Sequence, residues 1–183
     1  MKKYIKSVAA CAAALAVAFL ITAGTFSPKA IDVLGAVANA PGQSAEVAPK
    51  AAEMDDYENA VAAMINNIRA QNNINALAAE GSLNEVAEIR SQDLINRNYF
   101  SHYTPEGTNV FDVMRGSGVG FKYAGENLAQ ATPASVGTPE GFLNAWVNSP
   151  THMANILRSE YTKIGVSMVE QGSRRVVTTV FTN

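Results

Sequence analysis

The hydrophobic repeat of this chain changes near Tyr161, and that change restricts its fold more than any other feature of the sequence. Before this point, apolar residues recur at the spacing of one helical face, as they first do at Val61, Met64, Ile65 and Ile68. After it, two runs rich in β-branched residues at 164–169 and 176–181 flank Gln171-Gly172-Ser173, which is typical of a hairpin turn. Helices followed by strands predict an α+β domain.

Local signals predict where the other elements lie. Helices are expected at residues 57–72, 82–97, 110–115 and 138–146, and from Ser149-Pro150 onward. The second helix starts at a capping box that begins with Ser82, and the last has Ser149 as its N-cap residue. Because two strands do not make a stable sheet alone, we expect a third strand from the stretch around residues 121–128.

The N-terminal residues have the pattern of an export signal. Lys2, Lys3 and Lys6 precede a nearly uninterrupted apolar run at residues 8–23. We therefore predict a signal peptide over residues 1–40, cleaved after Ala40 or, alternatively, after Ala23; an uncleaved membrane anchor is a further alternative. Residues 41–53 are predicted to be a flexible linker and residues 54–183 the folded domain. Each alternative places that domain outside the cytoplasm, in the extracellular space or the cell envelope.

Charge and cysteine content limit the classes of function. The chain has 14 Lys and Arg against 16 Asp and Glu, and four of the lysines precede residue 41. The predicted domain is therefore acidic, which argues against nucleic acid as a partner. The single cysteine, Cys11, lies inside the apolar run, so no disulfide can form within one chain.

Three side chains are candidates for chemistry. His102 and His152 are the two histidines of the chain, and both lie in turn-rich segments. Glu126 is embedded among small and apolar residues, which predicts a buried carboxylate that needs a partner. Taken singly, each residue fits an ordinary hydrogen-bonding role equally well, and Trp146 is expected in the core.

The motifs occur in a characteristic order. They are Phe100-Ser101-His102 with Thr104-Pro105-Glu106-Gly107, Gly125-Glu126-Asn127-Leu128-Ala129, Trp146 with Ser149-Pro150-Thr151-His152 and Asn155-Ile156-Leu157, and Tyr161-Thr162-Lys163-Ile164-Gly165-Val166. From about Tyr57 onward the chain resembles the bacterial YkwD-like branch of the CAP superfamily, which is also called the SCP family. The superfamily includes cysteine-rich secretory, antigen 5 and pathogenesis-related 1 proteins. The resemblance implies a three-layer α-β-α sandwich with a central antiparallel sheet and a surface cavity.

The resemblance also implies which residues line the cavity. The matching positions are His102, Glu126 and His152, with Asn127 and Ser149 beside them. Many family members have another glutamate shortly after the tryptophan, whereas here Val147, Asn148 and Ser149 follow Trp146. His102 and His152 are candidate ligands of Zn²⁺, but two imidazoles alone make a weak and open site. Glu126 either completes the ligand set or orients an imidazole by accepting its N–H, and we expect the second role.

Three functions follow as hypotheses. The first is a binding module without catalysis, which takes a small apolar ligand or a cell-surface component, as the resemblance implies. The second is a metal-assisted extracellular hydrolase, acting on proteins or the cell envelope. No Gly-x-Ser-x-Gly nucleophile sequence occurs in the chain, which argues against the second. The third is a structural or signalling envelope protein whose cavity has lost its function.

Overall fold

The computed structural model describes residues 54–183. The predicted signal peptide or anchor at residues 1–40 and the predicted linker at residues 41–53 lie outside the described residues. Within residues 54–183, no helix combines the length and the apolar character that crossing a bilayer requires.

Five helices and four strands make up the described part of the chain. In order they are α1 (Asp56–Gln71), β1 (Ala78–Ala79), α2 (Gly81–Asn96), α3 (Val110–Gly116), β2 (Ala124–Ala131), α4 (Pro139–Val147), α5 (Pro150–Ile156), β3 (Lys163–Gln171) and β4 (Arg174–Thr182). A short 3-10 turn at Ala134–Val136 connects β2 to α4. The predicted α+β class is confirmed.

The four strands form one sheet in the order β1-β3-β4-β2. The hairpin of β3 and β4 is antiparallel, with Lys163 opposite Thr182 and Gln171 opposite Arg174. Strand β2 pairs antiparallel with the other side of β4 and is an edge strand. Strand β1 adds two parallel pairs to β3, so the sheet is mixed at that edge and antiparallel elsewhere.

Helices cover both faces of this sheet, which gives the three layers that the resemblance implies. Helices α1, α4 and α5 pack on one face, and α2 and α3 pack on the other. Strand β4 contributes to both because its side chains alternate: Val177 and Phe181 face α1, whereas Val176 and Val180 face α2. Trp146 lies in the core as predicted, and its Nε1 donates to the Leu128 carbonyl at 3.0 Å.

Helices α1 and α2 begin for different reasons: a capping side chain determines the first start, and pairing with the sheet determines the second. Asp55 caps α1 through a reciprocal capping box with Glu58, so the first helix begins within one residue of its predicted start. The predicted capping box at Ser82 is wrong. Helix α2 begins at Gly81 with Glu80 as its N-cap residue and without a side-chain cap bond. The Glu80 N–H donates to the Ile164 carbonyl of β3, so sheet pairing sets the start of this helix.

The predicted third strand is displaced along the chain. The sequence predicts it around residues 121–128, whereas β2 covers Ala124–Ala131 and so overlaps the predicted stretch at five residues, 124–128. The segment before it is fixed differently, because the Asn183 side chain accepts hydrogen bonds from the backbone N–H groups of Lys122 and Tyr123 at 2.9 Å. Strand β1 was not predicted, since two alanines carry no strand pattern. At α5, Ser149 is the N-cap residue, but its side chain makes no capping bond.

Candidate functional site

Glu126 is the centre of a buried ion pair on edge strand β2. Its side chain lies on the α2 face of the sheet, where only 2% of its surface is exposed. Arg90 reaches it from α2, is itself 1% exposed, and donates from Nε to Oε1 at 3.0 Å. A buried carboxylate needs such a partner, because isolation from water would otherwise cost several kcal/mol.

His102 binds the second oxygen of the same carboxylate. Its Nδ1 atom lies 2.6 Å from Oε2 of Glu126, while 52% of the imidazole side chain is exposed. An ionised carboxylate can only accept, so Nδ1 carries the hydrogen and donates it. In the neutral ring, Nε2 then keeps its lone pair. The pair thus presents an oriented imidazole nitrogen that can accept a proton or bind a metal ion.

Arg90 fixes the loop that carries His102. Besides Glu126, its guanidinium donates to the Tyr99 hydroxyl at 2.8 Å and to the Ser101 carbonyl at 3.0 Å. Burial lowers the pKa of Arg90, but Glu126 and Tyr99 more than offset this effect and raise the pKa above its ordinary value. Arg90 is therefore a permanent cation that joins α2, β2 and the loop.

The opposite face of β2 is occupied by amides. Asn127 is fully buried, and its Nδ2 donates to the backbone carbonyl of His152 at 3.2 Å. Asn155 of α5 donates to the Glu126 carbonyl at 3.1 Å and to the Asn127 side chain at 2.9 Å. These bonds hold α5 against the edge strand. Glu126 and Asn127 point to opposite faces because successive strand residues alternate.

His152 lies in the first turns of α5. Burial, followed by the positive charge of His102, lowers the pKa of His152 below its ordinary value. Its Nδ1 atom is buried and has no hydrogen-bond partner among the described residues. Both effects disfavour the protonated form of the His152 ring.

A hollow of about 240 Å³ opens beside His102 and Glu126. Its walls are the side chains and backbone of His102, Tyr103, Asn109, Val110, Phe111, Ala124, Gly125, Glu126, Asn155, Arg158 and Tyr161. Of the five residues predicted to line a common cavity, His102 and Glu126 therefore meet at this hollow. Asn127, Ser149 and His152 do not belong to its walls. Ser149 lies at the start of α5, where its hydroxyl is 3.3 Å from that of Thr151.

The donors for a metal ion are few. Within residues 54–183, no three His, Cys, Asp or Glu side chains are grouped to hold a metal ion. Both oxygens of Glu126 are occupied by Arg90 and His102. Among the described residues, the imidazole nitrogens of His102 and His152 are therefore the remaining candidate ligands, and two imidazoles do not make a three-ligand catalytic centre.

Sequence reasoning missed Arg90 as a residue of the site. Its position carried a usable signal, because Arg90 follows Val86 and precedes Leu94 by four residues on the apolar face of α2. A cation on a buried face requires a buried acceptor. Asn155 and Tyr161 occur in the motifs of the sequence but, like Arg158, carried no signal for a place in the site, because α5 and the chain after it bring them to the hollow.

This fold and site define a class: a three-layer α-β-α domain with a carboxylate-anchored histidine at the edge of its sheet. The sequence model of the CAP family, described as the cysteine-rich secretory protein family, matches residues 62–182. The chain belongs to the CAP family.

Individual relatives agree with this assignment. YkwD of Bacillus subtilis (strain 168) is 38% identical over 117 residues, which are 64% of this chain and 44% of YkwD. The crystal structure of an extracellular SCP-domain protein from Bacillus anthracis str. Ames matches with a TM-score of 0.62 at 30% identity, over 69% of this chain and 40% of that one. This chain thus spans less than half the length of either Bacillus protein.

The fold also extends to a distant surface protein. An outer surface protein of Borrelia burgdorferi matches with a TM-score of 0.65, over 72% of this chain and 96% of that protein. The two sequences are 20% identical, so the match concerns the fold alone.

Proposed function

We propose that this CAP domain is a binding module that acts outside the cytoplasm, in the extracellular space or the cell envelope. Its ligand is a small apolar molecule or a cell-surface component that enters the hollow beside His102 and Glu126. One observation carries this proposal: both oxygens of Glu126 are already bound, to Arg90 and to His102. The carboxylate orients a binding residue and is not free to activate water.

The walls of the hollow also favour binding over hydrolysis. None of its lining residues is a serine, threonine or cysteine, and Glu126 is the sole acid among them. A hydrolase needs a nucleophile or an activated water together with donors for the developing negative charge. Hydrolysis is the second candidate, and the free Nε2 of His102 is the observation that favours it.

A similar protein supports the proposed location. The Bacillus anthracis relative, at 30% identity, is described as an extracellular protein. The pattern of Lys2, Lys3, Lys6 and the apolar run after them also supports export. An acidic chain and a hollow with an apolar wall fit a small ligand better than nucleic acid.

Zn²⁺ enters the proposal as a loosely held ion. His102 offers Nε2, and the lowered pKa of His152 favours the unprotonated ring that a metal ion requires. When bound, Zn²⁺ would supply a positive centre that attracts an oxygen atom of the ligand. His102 keeps its orientation through Glu126 whether or not the ion is present.

The proposal is tested by calorimetric titration of the purified protein with 1-dodecanol and dodecanoate, with and without Zn²⁺. We expect saturable binding that weakens several-fold in His102→Ala. Lys163→Gln is the matched control, because Lys163 does not line the hollow and pairs with Glu80 instead. Absence of binding at every concentration, in both conditions, would remove the small-ligand proposal.

The hydrolase candidate needs a separate assay. Release of fragments from a protein substrate and from cell-wall material is followed for the purified protein and for a His102→Ala, His152→Ala double variant. We expect no turnover by either protein. Turnover that the double variant loses would replace the binding proposal with the hydrolase.

A further inference from the structure

A groove runs along the outer side of helix α2, and we call it the α2 groove. It encloses about 970 Å³, and α2 forms one wall with residues between Glu85 and Arg97. The opposite wall consists of Thr104, Glu106, Thr108 and Val113. None of the residues that line the α2 groove also lines the hollow beside His102, so the two are separate surfaces.

The wall opposite α2 is a tight turn that its own hydrogen bonds hold in place. The Thr104 N–H donates to the Thr108 carbonyl, and the Gly107 N–H donates to the Thr104 carbonyl, both at 2.8 Å. The Arg97 guanidinium binds Glu106 and so ties this turn to the end of α2. Because both walls are fixed, a partner does not have to order them when it binds.

The α2 groove carries more negative than positive charge. Four of its lining side chains are acidic and two are basic. Both basic side chains are already paired, Arg90 with Glu126 and Arg97 with two acids of the groove itself. The other two acids, Glu85 and Glu88, form no ion pair with a cation of residues 54–183. Their charge is therefore available to a positively charged partner.

An apolar side chain lies beside these two acids. Ile89 follows Glu85 by one helical turn, and 49% of its surface is exposed. Val113, which is partly buried, supplies an aliphatic side chain on the opposite wall. Removal of such surface from water is favourable, so a partner with an apolar side chain gains from both walls. A simple cation would leave this surface wet.

The negative surface continues across α2 into an adjoining hollow of about 350 Å³. Glu88 and Gln92 line both the groove and this hollow. The other acids of the adjoining hollow are Asp55, Glu58 and Glu170, and no basic side chain lines it. Several positive charges spaced along one molecule match this surface better than a single charge does.

We propose that the α2 groove docks an extended, basic segment of another protein. Lys or Arg side chains of the segment pair with Glu85 and Glu88, and its apolar side chains contact Ile89 and Val113. At 1.5 Å per residue, the helix wall from Glu85 to Arg97 is about 18 Å long. Five or six residues of an extended peptide span this length at about 3.3 Å each.

Shape distinguishes this partner from a second copy of the chain. Arg115, Lys122 and Arg158 form a basic group on this protein, but they line a hollow of their own. Two concave surfaces do not fit into each other, whereas an extended segment enters a groove. The interaction uses no residue of the hollow beside His102, so it goes beyond the proposed function and does not depend on it.

The test compares four probes by calorimetric titration of the purified protein. They are the end-blocked peptides KKLLKK, KKSSKK and EELLEE, and spermine. Alternation along an extended KKLLKK places lysine and leucine on both of its faces. We expect KKLLKK to bind about tenfold more tightly than KKSSKK, because its leucines leave water, and EELLEE not to bind. Raising the salt concentration should weaken KKLLKK, since salt screens exposed charges.

Charge reversal locates the peptide. The double variant Glu85→Lys, Glu88→Lys should weaken KKLLKK about tenfold or more, because it replaces both attractive charges with repulsive ones. The matched control is Glu140→Lys, Glu160→Lys, which changes the net charge equally at exposed residues outside the groove and the adjoining hollow. The control should keep most of the affinity. Circular dichroism confirms that both variants are folded.

A second pair of variants tests the apolar contact. Ile89→Ser should remove most of the advantage of KKLLKK over KKSSKK. Val136→Ser is the matched control, because Val136 is 62% exposed and does not line the α2 groove. This control should bind both peptides as the natural protein does. Equal effects of the two substitutions would overturn the role of Ile89.

Other results would overturn the proposal in distinguishable ways. Spermine binding as tightly as KKLLKK would indicate a general cation surface instead of a peptide groove. Equal affinity of the natural protein and the Glu85→Lys, Glu88→Lys variant for KKLLKK would place the peptide elsewhere. His102→Ala should bind KKLLKK normally, and a loss there would move the peptide to the hollow beside His102. No binding of KKLLKK, together with a dimer that the Glu85→Lys, Glu88→Lys variant loses, would indicate a second copy as the partner.

Discussion

At the scale of single residues, the carboxylate of Glu126 contacts one buried side chain and one exposed side chain, and these need different things from it. Arg90 is 1% exposed and must have an acceptor, whereas His102 is half exposed and must be oriented. One carboxylate serves both because its two oxygens point in different directions. The buried partner matters for stability and the exposed partner matters for the site.

This division predicts different costs for two substitutions. Glu126→Gln removes the charge that compensates buried Arg90 and should lower the free energy of unfolding by about 3 kcal/mol. His102→Gln removes only a half-exposed partner and should lower it by about 1 kcal/mol or less. Urea unfolding followed through Trp146 fluorescence measures both. Equal losses would show that the ion pair with Arg90 does not stabilise the fold.

His152 makes stability depend on pH. Its pKa in the folded protein is lowered by burial, with a contribution from His102, so the unfolded chain takes up a proton first as the pH falls. Stability is therefore unaffected by this group above the ordinary histidine pKa of about 6.5 and decreases below it. Each pKa unit by which the His152 pKa differs between the folded and unfolded chains is equivalent to about 1.4 kcal/mol of the free energy of unfolding at low pH.

The corresponding prediction concerns His152→Asn. Between pH 7.5 and pH 5.5 this variant should lose less stability than the natural protein, because asparagine does not titrate. Urea unfolding at several pH values measures the difference. Parallel loss of stability in both proteins would mean that His152 is not held neutral by the fold.

At the scale of elements, α2 is the helix on which the site depends. It carries Arg90 and lies against β3 at Gly165, where backbone meets backbone. A Cβ atom on Gly165 would lie 2.2 Å from the carbonyl carbon of Leu83 and 2.4 Å from its oxygen. Close approach of helix and strand therefore requires a residue without a side chain at this position.

Gly165→Ala should therefore displace α2 and lower the free energy of unfolding by about 3 kcal/mol. Gly120→Ala is the matched control, because a Cβ there meets nothing within 4 Å and the residue is exposed. Its effect should remain within about 0.5 kcal/mol. Thermal unfolding of the three proteins provides the measurement. A small effect at Gly165 would show that α2 can move away from the sheet without penalty.

At the scale of the whole molecule, the site depends on the position of β2 at the edge of the sheet. The alternation of strand side chains directs Glu126 toward α2 and Asn127 toward α5. The loop after α2 and the segment after α5 therefore meet at one edge, on either side of a single strand. In residues 54–183 there is no cysteine, so packing and hydrogen bonds alone hold these layers together.

Much of this arrangement could be read from the chain itself. The helices lie close to their predicted bounds, three of them (α1, α3 and α4) begin at a residue whose side chain caps them, and the β-branched runs around Gly172 form the predicted hairpin. Such features depend on neighbours in sequence, because capping and side-chain periodicity act over a few residues. The order of the motifs around His102, Glu126 and Trp146 was also sufficient to indicate the family.

Other features depend on contacts between distant residues. The start of α2 follows from the Glu80 bond to β3, and strand β1 exists because β3 offers a partner. Arg90 became a residue of the site because the α2 face that carries it meets β2. Local sequence determined the elements and the candidate residues. Tertiary structure decided their partners, since burial and hydrogen bonding across the sheet are set only when the layers pack.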